Sequence, residues 1–420
     1  MNLTIERHKD IAYHYIATRQ FKTVQITLRF FDELEEKSAT VRHLMLSMLK
    51  AKNRLHPSRK ALTRKLEELY DTSLSGVSLK LGNKHINQFG VNIVNPSFID
   101  DPRFFEDVLE ILRATLFNPR FDEKTLEEEK QFLKDYFKAE YANKARYAAK
   151  RYRDHLFAGH PNRINPLGAM EHIDAITLEE VEKAYERMIG QNSLLVSVVG
   201  DFDEERVHRR LRAALPFETN APLPDDFFLR SAFEKKEPIT ETMPLAQDRL
   251  FMTLSSGVFY GDEGYFTMVV LTALLGEGGD SLLFRRVREE KSLAYYVHAQ
   301  YRPFSALVSI HSAMKKKNVE QAKALIEETL EDIKAGNFKK RSLDLAKQYL
   351  ITSIKQSFDS PRSLSLIALR HQLLSMPFDE SYMLKKIRDV SKTDVMETAK
   401  RLRWIFTYVL GSEDDEKDAI

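Results

Sequence analysis

The chain has 420 residues, of which 43% are hydrophobic and 30% charged, a composition typical of folded globular proteins and not of disordered or fibrous ones. Its 64 lysines and arginines against 62 aspartates and glutamates give a formal net charge of +2, so we expect no nucleic-acid partner and no anionic-membrane surface. The sequence contains no cysteine, which excludes disulfides, thiolate catalysis and cysteine-ligated metals.

Length and local hydropathy narrow the class of protein further. A chain of this length can form about two to three domains with substantial cores. No segment reaches the roughly 18 to 20 consecutive apolar residues of a membrane helix, so we expect no membrane partner. The charged run Glu6 to Asp10 lies where a signal peptide would need its apolar core. We therefore expect a cytoplasmic protein.

The first half of the chain predicts strands followed by a long helix. Apolar residues alternate from Val24 to Phe30, a period of two that indicates a half-buried strand. A hairpin is expected from Leu74 to Leu81 and from Ile86 to Val94, around the turn Gly82-Asn83. A charged helix is expected from Glu123 to about Phe157.

The ends of the two halves follow one plan, which indicates an internal duplication. In each half a helix begins after an Ile-Thr or Val-Ser pair and is followed by an apolar strand that ends at glycine. The pairs begin at Ile176 and Val390, 214 residues apart, and the glycines are Gly200 and Gly411, 211 residues apart. The two copies therefore keep nearly the same register.

The second half repeats the elements of the first. A strand is expected from Leu250 to Leu254, then a hairpin from Ala294 to Tyr301 and from Ala306 to His311. A helix is expected from Asn318 to Ala335, with Asn318 as N-cap and Gly336 just after its end.

These patterns predict an α+β fold of two similar domains, each a mostly antiparallel sheet covered by helices. We expect an N-terminal domain at residues 1–215 and a C-terminal domain at residues 245–420. The segment between them, residues 216–244, is rich in proline and acidic residues and is predicted to be a linker.

Several segments resemble the insulinase/pitrilysin family of zinc metallopeptidases, which includes mitochondrial processing peptidase. RHLMLSML is similar to the helix that carries the HxxEH motif, and HPNRINPLGAMEHIDAIT is similar to the end of a family domain. GEGGDSLLFRRVREEKSLAYYVHA looks like the signature of the family's C-terminal domain. The resemblance implies that the two domains face one another as half of a clam-shell chamber.

The zinc motif of the family is degenerate in this chain. His43 occupies the place of the first histidine, but Leu46 stands at the general base and Ser47 at the second histidine. The third ligand falls at Tyr136, or at Asp135 if the alignment is shifted by one residue. Leucine neither binds a metal nor accepts a proton, and a catalytic zinc needs three protein ligands. We expect no metal and no other cofactor.

The C-terminal signature retains an arginine and a tyrosine, Arg288 and Tyr295. The resemblance implies that these two side chains hydrogen-bond the substrate carbonyl and the developing oxyanion, since both donate to growing negative charge. The alternative is structural: Arg288 paired with Glu289 or Glu277, and Tyr295 packed against Tyr296.

The resemblance implies a non-catalytic subunit of a heterodimeric zinc peptidase. Its partners would be an HxxEH-bearing homologous subunit and a peptide substrate, and the isolated chain could form a homodimer. One alternative is a stand-alone scaffold that binds peptides or proteins. Another is an active metallopeptidase with unusual ligands.

Overall fold

The computed structural model describes residues 2–218, 221–228 and 233–413, which form two compact units. The first unit comprises Met1–Ala139, Gly159–Phe227 and Phe358–Phe378. The second comprises Glu140–Ala158, Phe228–Ser357 and Asp379–Ile420. Each unit thus includes one segment from the opposite half of the sequence, whereas the domain boundaries predicted from the sequence are contiguous.

The first unit contains a six-stranded sheet with the strand order β1-β2-β6-β3-β5-β4. Only β2 and β6 run parallel, and the other neighbours are antiparallel. The strands are β1 (Thr4–His8), β2 (Ile11–Ala17), β3 (Thr23–Glu33), β4 (Ser73–Leu81), β5 (Lys84–Val94) and β6 (Ser193–Gly200).

The second unit contains a five-stranded sheet with the order β7-β11-β8-β10-β9, in which only β7 and β11 run parallel. Its strands are β7 (Ile239–Met243), β8 (Asp248–Ser255), β9 (Ala294–Arg302), β10 (Leu307–Met314) and β11 (Arg403–Ser412). Strand β7 lies inside the segment expected to be a linker. The order and directions match those of β2-β6-β3-β5-β4, so the predicted α+β fold of two similar domains is confirmed.

Thirteen α-helices accompany the sheets in the described residues. They are α1 (Glu36–Ala51), α2 (Arg59–Glu68), α3 (Phe104–Phe117), α4 (Glu123–Ala142), α5 (Lys144–Leu156), α6 (Leu178–Gly190), α7 (Glu204–Ala214), α8 (Tyr265–Gly276), α9 (Val319–Ala335), α10 (Lys340–Phe358), α11 (Pro361–Leu374), α12 (Glu380–Asp389) and α13 (Lys392–Ala399). None of the helices in the described ranges is long and apolar enough to cross a membrane.

Both faces of the central strands are buried, which differs from the half-buried strands that the alternating pattern predicts. On β3, Arg29 is 1% exposed, and its guanidinium donates to Ser365 Oγ of α11 at 2.9 Å. On β8, Thr253 is fully buried, and its Oγ1 lies 2.6 Å from the Tyr152 hydroxyl of α5. Helices α11 and α5 therefore cover the second face of the first and the second sheet respectively.

The long helix expected from Glu123 to about Phe157 is in fact two helices. It breaks at Asn143, whose side-chain oxygen accepts hydrogen bonds from the backbone N–H groups of Ala145 and Arg146, each at 3.1 Å. This cap starts a new helix. The break separates α4 from α5, which packs against the second sheet.

The predicted cap of α9 is wrong in one detail. Asn318 does occupy the N-cap position, but its side chain donates to the carbonyl of Leu293 at 2.9 Å and makes no cap hydrogen bond. The end of the helix is as predicted, with Gly336 in the left-handed conformation at φ 78°.

Candidate functional site

The degenerate zinc motif lies on the face of α1 that packs against edge strand β4. The His43 Nδ1 atom is 3.2 Å from Ser78 Oγ of β4. Burial lowers the pKa of His43 to about 4, with a further contribution from the charge of Lys50. His43 is therefore a neutral side chain that is engaged with the strand.

The other motif positions do not fit a metal. Leu46 is 1% exposed, and its Cγ would lie 3.1 Å from a Cβ built on Gly76 of β4, so it packs flat against the strand. Ser47 offers only a neutral hydroxyl, which is not among the usual zinc ligands. Within the described residues, no three histidine or carboxylate side chains are grouped so that they could hold a metal ion.

Helix α4 does not supply the third ligand. Tyr136 is 43% exposed and contacts the ring of Phe137 at a centroid distance of 5.8 Å. Asp135 accepts a hydrogen bond from Gln131 at 2.8 Å on the helix surface. The buried carboxylate of Glu129 is bound by the Arg59 guanidinium at 2.5 Å.

Lys50 belongs to the same face of α1, and sequence reasoning missed it. Its Cδ would lie 2.9 Å from a Cβ built on Gly76, so its aliphatic chain crosses the strand where glycine leaves room. In the described part of the chain its ammonium makes no hydrogen bond or ion pair. Burial lowers the pKa of Lys50, while the charges of Glu129 and Arg59 act on it in opposite directions.

Arg288 lies on a π-helical segment, Phe284–Glu290, in the second unit. Such turns are frequent at functional sites. Its guanidinium carbon lies 4.8 Å from the centre of the Phe284 ring, and it forms no ion pair with Glu277 or Glu289 within the described ranges. Burial alone raises the pKa of Glu277 to about 7. Arg288 itself is exposed.

Tyr295 is the extra residue of a β-bulge at the start of β9. Ala294 pairs with Met314 and Tyr296 pairs with Ala313, which leaves Tyr295 without a partner on β10. A bulge redirects the side chain, and Tyr295 is 51% exposed and Tyr296 37% exposed. Tyr295 makes no ring contact with Tyr296 or with any other described residue.

The backbone brings the two elements together. The Leu293 N–H donates to the Val287 carbonyl at 2.8 Å, which ties the start of β9 to the π-helical segment. Ser292 between them adopts the left-handed conformation at φ 50°. Arg288 directly follows Val287 and Tyr295 lies two residues after Leu293, so both side chains are next to this connection.

Comparisons with known proteins identify a peptidase-like chain. Residues 175–350 match the family model described as the Peptidase M16 inactive domain. The chain is 27% identical to the probable inactive metalloprotease YmfF of Bacillus subtilis over 412 residues, 96% of each protein.

Solved structures share the fold over nearly the whole chain. A conserved protein from Enterococcus faecalis V583 superposes with a TM-score of 0.90 at 24% identity, covering 99% of this chain and 100% of that one. A Pseudomonas fluorescens peptidase M16 inactive domain has a TM-score of 0.82 at 16% identity, covering 99% of each chain. The resemblance to the insulinase/pitrilysin peptidases is confirmed: the chain is similar to M16 peptidase-like proteins, including ones that are named inactive.

Proposed function

We propose that this chain, a non-catalytic relative of the M16 peptidases, is the zinc-less subunit of a heterodimeric metallopeptidase. A homologous subunit with an intact HxxEH motif would supply the metal and the general base. This chain would supply peptide-binding surface together with Arg288 and Tyr295. It would act in the cytoplasm.

The exposure of Arg288 and Tyr295 is the observation that carries the proposal. Both side chains are exposed and lack polar partners in the described part of the chain, although each could have been paired within the second unit. A guanidinium and a phenol in this state can donate hydrogen bonds to a carbonyl oxygen and to the oxyanion that develops from it.

Strand β9 offers a place for the peptide. It is the edge strand of its sheet and pairs only with β10, so one row of its backbone groups is open in the described sheet. An extended peptide can add to such an edge through backbone hydrogen bonds with little demand on sequence. Tyr295 at the start of β9 would then lie beside the added strand.

Reconstitution tests the proposal. The isolated chain should neither retain stoichiometric zinc nor cleave peptides, and mixing it with an HxxEH-bearing M16 chain from the same genome should produce or strongly enhance cleavage. Size-exclusion chromatography should show the two chains together. The isolated chain can be checked for homodimers in the same experiment.

Variants then test the roles of the two side chains. In the reconstituted pair, Arg288→Ala and Tyr295→Phe should each lower kcat/KM by about 10²-fold or more, the scale of a lost oxyanion donor. Tyr296→Phe on the same strand and Arg341→Ala on the exposed surface of α10 are the matched controls, and both should leave the rate unchanged. If Arg288→Ala and Tyr295→Phe cleave normally, a peptide- or protein-binding scaffold becomes the better account.

A further inference from the structure

Arg29 on strand β3 carries a buried positive charge that no acidic side chain neutralises. The residue is 1% exposed, and its guanidinium donates to three neutral oxygens: Gln88 Oε1 at 3.0 Å, Ser197 Oγ at 3.2 Å and Ser365 Oγ at 2.9 Å. In the described part of the chain it forms no ion pair with a carboxylate. Because burial removes the hydration of a cation, a buried guanidinium ordinarily has a partner of opposite charge.

The electrostatic surroundings of Arg29 are positive. Burial lowers the pKa of Arg29 to about 9, with a further contribution from the charge of Arg362 in the first turn of α11. The start of α11, where Ser360 is the N-cap, adds the partial positive charge of a helix N-terminus. An anion beside Arg29 would therefore be stabilised by the guanidinium and by the groups around it.

Two serine hydroxyls beside Arg29 have hydrogens that no acceptor takes up. Ser197 of β6 and Ser365 of α11 both accept from the same guanidinium nitrogen, Nη1, and each is at most 1% exposed. A hydroxyl also donates one hydrogen bond, but neither O–H has an acceptor among the described residues. The other terminal nitrogen of Arg29, Nη2, likewise has no described partner. Three unused donors thus surround one guanidinium.

A further unsatisfied group lies next to Ser197. In the pairing of β2 with β6, His14 is opposite Ser197, and its side chain is completely buried. Gln372 of α11 lies beside the ring, but outside hydrogen-bond geometry, and neither ring nitrogen has a partner among the described residues. A neutral imidazole carries one N–H. The layer between α11 and the first sheet therefore holds more donors than acceptors.

We propose that a chloride ion binds in this layer, held by the Arg29 guanidinium and the hydroxyls of Ser197 and Ser365. Since all three residues are at most 1% exposed, the ion must lose its water, which favours a small monovalent anion over sulfate or phosphate. The ion would fasten α11, which comes from the second half of the sequence, to the first sheet. This site goes beyond the proposed function because it requires no peptide and no partner subunit.

The dependence of stability on chloride tests the site in the isolated full-length chain. The chain is dialysed into sodium gluconate, and its thermal midpoint is followed as chloride replaces gluconate at constant ionic strength. The midpoint should rise with the logarithm of the chloride concentration above Kd, by about 5 °C once chloride exceeds Kd about 100-fold. Bromide should act in the same way, and crystals that contain bromide should show an anomalous peak in contact with Arg29, Ser197 and Ser365.

Substitutions assign the response to these side chains. Ser365→Ala removes one donor and should weaken chloride binding by about 10-fold, the scale of one hydrogen bond to a charged group. Ser363→Ala is the matched control on the same helix, because the Ser363 hydroxyl has no partner among the described residues, and it should respond to chloride as the wild type does. Arg29→Met should abolish the response. If Arg29→Met does not fold, Ser365→Ala and the bromide map decide.

The proposal is overturned if the wild-type midpoint is the same in chloride and gluconate, or if Ser365→Ala and Arg29→Met respond to chloride as the wild type does. It is also overturned if bromide gives no peak at Arg29, which would mean that water alone fills this layer. These measurements need no reconstituted heterodimer. Normal cleavage by Arg288 and Tyr295 variants would overturn the proposed function and leave the chloride site intact.

Discussion

Four histidines, of which His14 and His85 are fully buried and His43 and His311 half-buried, show how single residues tie the stability of this fold to pH. Burial lowers the pKa of His14, His43 and His85 to about 4 and that of His311 to about 3. Below the ordinary value of 6.5 the unfolded chain takes up protons that the folded chain does not. The stability that depends on these neutral rings is therefore present above pH 6.5 and is lost as pH falls below it.

His311 allows this dependence to be measured at one position. Its ring lies between Phe251, at a centroid distance of 4.7 Å, and Tyr152, at 5.6 Å, and its Nε2 has no hydrogen-bond partner. His311→Phe keeps a ring in this place and removes the titrating group. From pH 7 to pH 5 the variant should gain about 2 kcal/mol of unfolding free energy relative to the wild type, measured by urea denaturation.

The wild type measured at both pH values is the internal control for this experiment. A difference between variant and wild type that is the same at pH 5 and pH 7 would contradict the argument, because packing effects alone do not depend on pH in this range.

At the residue scale, the degenerate positions of the zinc motif could be read from the sequence, whereas the placement of Lys50 could not. Leu46 and Ser47 were recognisable because the HxxEH pattern has fixed spacing. Lys50 was not, since a lysine in the last turn of a helix ordinarily complements the helix dipole at the surface. Its burial depends on Gly76, a strand residue whose distance from α1 no local pattern encodes.

The capping boxes of α6 and α13 are equivalent elements of the two units. Thr177 Oγ1 accepts from the Glu180 N–H and Ser391 Oγ from the Asp394 N–H, and each acidic side chain accepts from the backbone N–H of its cap residue. Both helix starts were predicted from the sequence because the cap needs only residues within one turn. Because the cap residue and the acidic residue are three positions apart in both helices, the internal duplication could be recognised in the sequence.

Removing either cap should destabilise its own unit. Thr177→Ala and Ser391→Ala should each lower the free energy of unfolding by about 1 kcal/mol, because the backbone N–H of Glu180 or Asp394 loses its acceptor. Chemical denaturation measures the loss, and Thr177→Ser, which keeps the hydroxyl, should lose much less. Equal losses for alanine and serine at position 177 would show that the cap is not the cause.

The π-helical segment and the bulge at Tyr295 are elements that local sequence could not predict. A bulge exists only relative to the partner strand, and the register of β9 against β10 is set by packing across the whole sheet. The spacing of Arg288 and Tyr295 was visible in the sequence, but their exposure follows from these two irregularities. The candidate site therefore depends on a π-helical segment and a β-bulge, both of which are irregular elements.

At the scale of the whole molecule, each unit depends on a helix from the other half of the sequence. Amphipathic periodicity shows that a helix has a buried face but not which sheet covers it, so this exchange could not be predicted. Helix α11 lies over Arg29 of the first sheet, and α5 places Tyr152 between Thr253 and Ser309 of the second. The contiguous domain boundaries predicted from the sequence follow the internal repeat. The compact units instead each combine segments from both halves of the chain.

Division of the chain should therefore disrupt both units. Fragments 1–228 and 229–420 each lack one covering helix, and each exposes the face that the helix would bury. Expressed singly they should aggregate or lack cooperative unfolding, whereas co-expression should yield a soluble complex of the two. Size-exclusion chromatography and thermal unfolding test this, and a cooperatively folded single fragment would contradict it.

Because α11 is synthesised long after the rest of the first unit, the exchange of helices between the halves also determines when that unit can be completed during translation. The first sheet cannot receive α11 until the ribosome has passed Leu374, about 150 residues after the rest of that unit is complete. At ordinary elongation rates this interval lasts roughly 7 to 30 s, during which the Arg29 face of a nascent sheet remains uncovered. Chaperones that shield nascent chains would have their main opportunity in this interval.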